Sequence, residues 1–326
     1  MVLALALPTA ASGAIQQGFI DGCTPQSPDC GARIQKLASG GFTLVAMSPG
    51  DLNRSNKDAA AVSDVAVRSG VKIIWIMSRG QTADAVVHQV GKLPATWGYY
   101  LPDEPTLADR GPFYKLADRL AQLDRAHQRL VMLCCGGRDT ARSWSGTYQD
   151  WAGINAMLAS DPYPIGGGPE MAQAAHDYVA GTTNYPILAL QAWRQGDYYG
   201  AGYENTRFPT QNEITAMRDG AQDAVSQSTP KIQDVMILWF YLPDVIGPAA
   251  KFILPDWTYP TPPVTDERWS TVVGGASAAP GSWQTSTPTA TPSAPTATPS
   301  APTASQCPCQ PPPPMWVDPF PGPPGR

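Results

Sequence analysis

Four carboxylates stand where short apolar runs end: Asp21, the adjacent pair Asp103 and Glu104, and Asp161. Rings and amides gather at the same kind of position: Tyr100, Trp144, Tyr163, Gln191, Trp193, Trp239 and Tyr241. Two carboxyl groups in one cleft can divide the work of breaking an acetal, one protonating the leaving oxygen while the other attacks carbon or activates water. Flat aromatic faces suit the apolar faces of sugar rings. The three histidines, His88, His127 and His176, fall in stretches with helical spacing and away from these ends. A metal-dependent hydrolase would want imidazoles at the mouth, and a serine triad would want a base there, so no metal and no cofactor are expected. The histidines read as surface or packing residues.

The elements that must position these groups alternate. Runs rich in β-branched and aromatic residues at 17–21, 43–47, 72–77, 97–101, 130–135, 156–160, 187–193 and 234–241 read as eight strands. Segments with helical spacing lie between them, clearest at 59–68, 112–127 and 213–225. In the second of these, Leu116, Leu120 and Leu123 recur at spacings of four and three, leaving Asp118, Arg119 and Asp124 for water. Ser55-Asn56 and Thr210 mark helix entrances, the latter forming a capping box with Glu213. Eight strand-helix pairs predict an α/β fold, a single (β/α)8 TIM barrel over 15–275. Functional groups of that architecture sit at the C-terminal ends of its strands. A doubly wound open sheet is the alternative, but no Gly-x-Gly-x-x-Gly follows the first strand.

Composition narrows the partners. Charged residues are 15% of 326 and the formal net charge is −5, so the chain lacks the basic footprint of a nucleic-acid or anionic-membrane binder. After the apolar start of 1–7, no run reaches the roughly 20 apolar residues of a membrane-spanning helix. That start, followed by the small-residue stretch 8–14, reads as the remnant of a signal peptide lacking its basic region. Of six cysteines, Cys23 and Cys30 bracket a Pro-rich loop and predict a local disulfide, which suits an oxidising compartment. Neighbouring Cys134 and Cys135 would face opposite ways on their strand as apolar fillers.

Beyond about Trp269 the helical and strand signals fade. Over 276–326 the chain turns Pro/Thr/Ser/Ala-rich, and the seven residues 290–296 recur unchanged at 297–303. Such a tract cannot bury enough apolar area to offset its ordering entropy, so it reads as a disordered linker or stalk. It either joined a further module or serves surface attachment, with Cys307 and Cys309 open to an intermolecular bridge or another link.

Trp97-Gly-Tyr-Tyr-Leu-Pro-Asp103-Glu104-Pro105 resembles the fourth-strand signature of (β/α)8 glycoside hydrolases, where Asn-Glu-Pro or Asp-Glu-Pro carries the acid/base glutamate. Ser160-Asp161-Pro-Tyr163-Pro164 and Leu190-Gln191-Ala192-Trp193 look like sixth- and seventh-strand ends of poorly characterised members. The resemblance covers about 17–257 and implies Glu104 as proton donor, with Asp103 supporting it and Asp161 or Asp21 as the second carboxylate. Where many retaining members place a nucleophilic glutamate, this chain has Gln191, whose amide cannot form a glycosyl ester. The implied protein is a secreted or cell-surface glycoside hydrolase acting on a polysaccharide or glycan. The alternative is a non-catalytic barrel that binds carbohydrate; for a lyase or isomerase, this sequence lacks the phosphate-binding glycine loop usual near strands seven and eight. A rival reading makes Asp103-Glu104-Pro105 a solvated turn that caps the next helix.

Overall fold

A computed structural model describes residues 15–20, 23–134, 145–161, 187–192, 209–227, 235–241 and 267–278. Eight parallel strands close into a barrel in sequence order. They are β1 (Ile15–Ile20), β2 (Leu44–Met47), β3 (Lys72–Ile76), β4 (Thr96–Tyr100), β5 (Gln128–Cys134), β6 (Met157–Asp161), β7 (Ile187–Ala192) and β8 (Val235–Tyr241). Each covers one of the eight expected runs, with ends that differ by a residue or two. The helices among the described residues are α1 (Cys30–Ser39), α2 (Lys57–Arg68), α3 (Ala83–Val90), α4 (Arg110–Leu123), α5 (Gln211–Gln227) and α6 (Glu267–Ser277).

Strand alternation sorts the apolar residues into two layers. Leu44, Ala46, Ile74, Ile76, Tyr100, Leu130, Met132, Ala159, Met236 and Leu238 form a buried cluster drawn from strands alone, which is the barrel interior. Their neighbours in sequence, among them Val45, Trp75, Tyr99, Val131, Ile237 and Trp239, join the apolar faces of the helices in the outer layer. In β4 the register slips: Ile73 pairs with Thr96 but Ile74 with Gly98, so Trp97 is an extra residue. This bulge decides which tyrosine looks inward. Tyr100 joins the interior, while Tyr99 joins the outer layer and donates through its hydroxyl to Asp124 Oδ2 at 2.6 Å.

The seam between β1 and β8 is bound from outside. The indole of Trp239 donates to Gln17 Oε1 at 3.0 Å, and the Gln17 amide donates to the Ala276 carbonyl of α6 at 3.0 Å. On α5, Arg218 is buried and its Nη1 reaches the carbonyls of Gly275, Ala276 and Ala278 at 3.3, 2.9 and 2.6 Å. These are C-terminal carbonyls that a helix cannot satisfy by itself. A Cβ on Gly275 would lie 2.6 Å from Ile214 Cβ and 2.7 Å from the Gln211 carbonyl, so the α5–α6 contact requires glycine.

Helix α6 corrects the expectation that helical signal ends near Trp269. Its Gly-Gly pair and β-branched residues are poor helix formers, and packing rather than propensity supports it. Four smaller expectations meet mixed outcomes. Cys23 and Cys30 form the disulfide. Thr210 and Glu213 form the capping box, their backbone and side-chain bonds spanning 2.8–3.3 Å. Asn56 precedes α2 without a side-chain cap bond, and α4 ends at Leu123, so His127 lies in the turn before β5 rather than in a helix.

Candidate active site

Strand β4 ends at Tyr100, one residue earlier than its apolar run, and Leu101 and Pro102 follow it into the core. A bend over 102–104 then turns the chain back on itself. Tyr100, 2% exposed, donates its hydroxyl to Asp103 Oδ1, and the Glu104 N–H donates to the same carboxylate. Asp103 therefore folds back over the end of its own strand. Glu104 has φ 43°, the one positive φ outside glycine among the described residues.

The loop is tied to its neighbour by Arg79, which follows β3. Its Nη2 lies 3.5 Å from the Glu104 carbonyl oxygen and its Nη1 3.4 Å from Asp109 Oδ2. Asp109 in turn accepts from the Thr106 N–H and hydroxyl at 2.8 and 2.9 Å, closing a capping box on the short 3-10 helix Leu107–Asp109 that leads into α4. Capping thus belongs to Thr106 and Asp109, which removes the reading of Asp103 and Glu104 as the cap. Arg79 ties this corner although it belongs to no motif. Its only sequence signal was its place directly after β3.

Burial disfavours the Asp103 carboxylate and pushes its pKa up from 3.8 to about 6, against the opposing pull of the Tyr100 hydroxyl, the Glu104 N–H and the Arg79 charge. Burial also raises Asp109, yet the Thr106 and Arg79 contacts outweigh it and hold that carboxyl below its ordinary value. A carboxyl whose folded pKa exceeds its unfolded one favours the folded state below about pH 4, and that advantage is lost as pH climbs to about 6. For Asp109 the sign is opposite: its contribution is present above the ordinary carboxylate value and fades as pH falls below it. With Asp103→Asn, the unfolding midpoint relative to wild type should rise from about pH 4 to about pH 6 and stay level above that. Thermal unfolding across this range checks it; a pH-independent difference would remove the assignment.

Asp161 is the last residue of β6 and only 4% exposed. It shares a strand face with Met157 and Ala159, which pack on the interior cluster, and pairs in register with Cys134 of β5. Asp161 and the Tyr100–Asp103 pair therefore belong to the same end of the barrel, on strands separated by β5. Gln191 is the second-last residue of β7, in register with Phe240, and Tyr241 ends β8 opposite Ala192. Asp21, Trp144, Tyr163 and Trp193 lie outside the described residues, as do Cys135 and His176.

One expectation fails on strand phase. Trp239 is fully buried in the outer layer on Gln17, so it is no sugar platform at the mouth. Tyr99 faces the same layer, away from Tyr100 and the barrel interior. Among the described residues no group of three or more His, Cys, Asp or Glu is gathered that could hold a metal ion. No helix described is long and apolar enough to cross a membrane.

No protein-family model matches the chain, and no curated protein does. Solved structures do. A glycoside hydrolase matches with a TM-score of 0.50 at 10% identity, over 73% of this chain and 64% of that one. The spore cortex-lytic enzyme of Bacillus cereus matches at 0.48 and 10% identity, over 83% and 76%. A D-psicose 3-epimerase crystallised with D-fructose matches at 0.41 and 12% identity, over 70% and 85%. At these identities the likeness is one of fold. The chain spans about two thirds of the length of the glycoside hydrolase, and a barrel of this kind does not by itself choose a reaction.

Proposed function

We propose that this chain is a secreted or cell-surface glycoside hydrolase acting on a polysaccharide or glycan. The reading rests above all on acidic groups following β4 and ending β6 at one mouth of a closed barrel, Asp103 and Glu104 on one strand end and Asp161 on the other. Glu104 is the proton donor to the glycosidic oxygen, Asp161 the second carboxylate, and Asp103 supports Glu104. Asp21, Tyr100, Trp144, Tyr163, Gln191, Trp193 and Tyr241 are the remaining candidates for sugar contacts. The disulfide of Cys23 and Cys30 supports an oxidising compartment, and the Pro/Thr-rich tail supports attachment or linkage.

Replacing Glu104 with Gln keeps size and polarity but removes the proton. Release of reducing ends from a panel of polysaccharides should fall by about 10²–10⁴-fold, with sugar binding retained. Undiminished turnover would sink the assignment. The anomer first formed, read by NMR, reports the carboxyl spacing, with retention expected at about 5–5.5 Å and inversion at about 6.5–9.5 Å. Gln191 at the end of β7 favours a second reading, a barrel that binds carbohydrate without cleaving it. Binding by wild type with no product from any glycan would decide for it.

A further inference from the structure

We infer that Asp103 is a positioning residue: anchored by Tyr100, it holds the Glu104 backbone in a left-handed conformation and so fixes where the Glu104 carboxyl points. The claim deepens the reading of Glu104 as proton donor, and rests on that reading only for what the device serves. A side chain with a Cβ avoids positive φ, and the other positive-φ residues described are all glycines: Gly41, Gly50, Gly70, Gly80, Gly146 and Gly153. Glycine would fill position 104 without strain. A glutamate persists there only where its surroundings over-determine the backbone, and such outliers collect at functional sites.

The surroundings are on all sides. Ahead of Glu104, the Asp103 carboxylate accepts its N–H and is itself gripped by the Tyr100 hydroxyl, whose ring is locked in the barrel interior. Behind it, the Arg79 guanidinium lies 3.5 Å from its carbonyl. Pro105 closes the right-handed helical alternative to the residue before it. Pro102, buried, stiffens the approach. Of these, only Asp103 binds both the moving peptide and a fixed point of the barrel.

The test is a cycle of unfolding midpoints on the full chain, which needs no substrate. Glu104→Gly relieves strain where Asp103 enforces the left-handed turn, so it should raise the midpoint in the wild-type background. In Asp103→Ala the peptide is free to relax, no strain is left to relieve, and the same substitution should lower the midpoint through glycine's larger unfolded entropy. Asp103→Asn keeps an acceptor for the Glu104 N–H and should restore the rise, a rescue that bulk destabilisation would not give. If Asp103→Ala fails to fold, Tyr100→Phe, which keeps the ring but loses the anchor, should shrink the gain from Glu104→Gly. Equal shifts in anchored and unanchored backgrounds overturn the inference. Coupling in a chain that releases no reducing ends from the polysaccharide panel refutes the catalytic reading and leaves the positioning standing. Loss of turnover in Glu104→Gln with no coupling does the reverse.

Discussion

Arg218→Ala should remove about 3–5 kcal/mol of stability, the usual penalty for breaking a buried charge pair by deleting one partner. Arg218 is 6% exposed and its fork is fully engaged, with Nε and Nη2 on Asp219 Oδ1 at 2.9 and 2.5 Å while Nη1 serves the end of α6. Alanine would take the guanidinium from a carboxylate 8% exposed, remove the donor of the Ala278 carbonyl, and leave the carbonyls of Gly275 and Ala276 with Thr215 and Gln17 alone. Lysine keeps the charge but has no planar fork, so Arg218→Lys should fall between. Urea unfolding is the measurement: the midpoint should drop in the order wild type, lysine, alanine, with the slope unchanged if only stability is altered. A midpoint within error of wild type for alanine would mean that α6 is held by other contacts.

Trp239→Ala should cost a similar amount, about 3–5 kcal/mol for truncating a fully buried tryptophan. Its ring fills the outer layer beside β1, and its N–H holds the Gln17 amide that reaches on to α6. The same experiment discriminates between two uses of the residue. A tryptophan at the mouth would be lost with weakened sugar binding and little change in stability. Here the loss should appear in unfolding, and the folded fraction should bind any sugar ligand as wild type does. Trp239→Phe keeps most of the volume, leaves the Gln17 acceptor short of its donor, and should cost about 1–3 kcal/mol.

Strand positions were legible because each strand is a short, dense run of β-branched and aromatic residues with polar residues between runs, a local signal that burial of both faces reinforces. What could not be read was phase. Trp239 and Tyr99 sit in convincing strands, yet which face they take depends on pairing, and in β4 on the extra residue Trp97, which leaves no mark in the sequence. Helix α6 was illegible for a different reason. Its Gly274-Gly275 pair argues for a turn, and only the closeness of Ile214 and Gln211 explains why glycine is wanted inside a helix. At the candidate site, the presence of Asp103 and Glu104 at the strand end was readable, but the turn that folds Asp103 onto Tyr100 was not. Nothing in four residues says that the second of two adjacent acids will take a left-handed backbone.

The seam of the barrel also has a consequence in time. Trp239 and Gln17 are 222 positions apart, and Gln17 and Ala276 are 259 apart, so β1, made before the other seven barrel strands, waits for almost the whole barrel before it finds its permanent neighbours. Until then β1 has β2 on one side and an unpaired edge on the other, the kind of surface that captures stray strands. Contacts of such long reach form late and slowly. The latch of α6 follows β8 out, so synthesis that halts between β8 and α6 would yield a chain with all eight barrel strands present and the closure unsecured. Newly made protein should accordingly be most vulnerable to aggregation and to proteases at β1, and lose that vulnerability only once residues 267–278 have emerged.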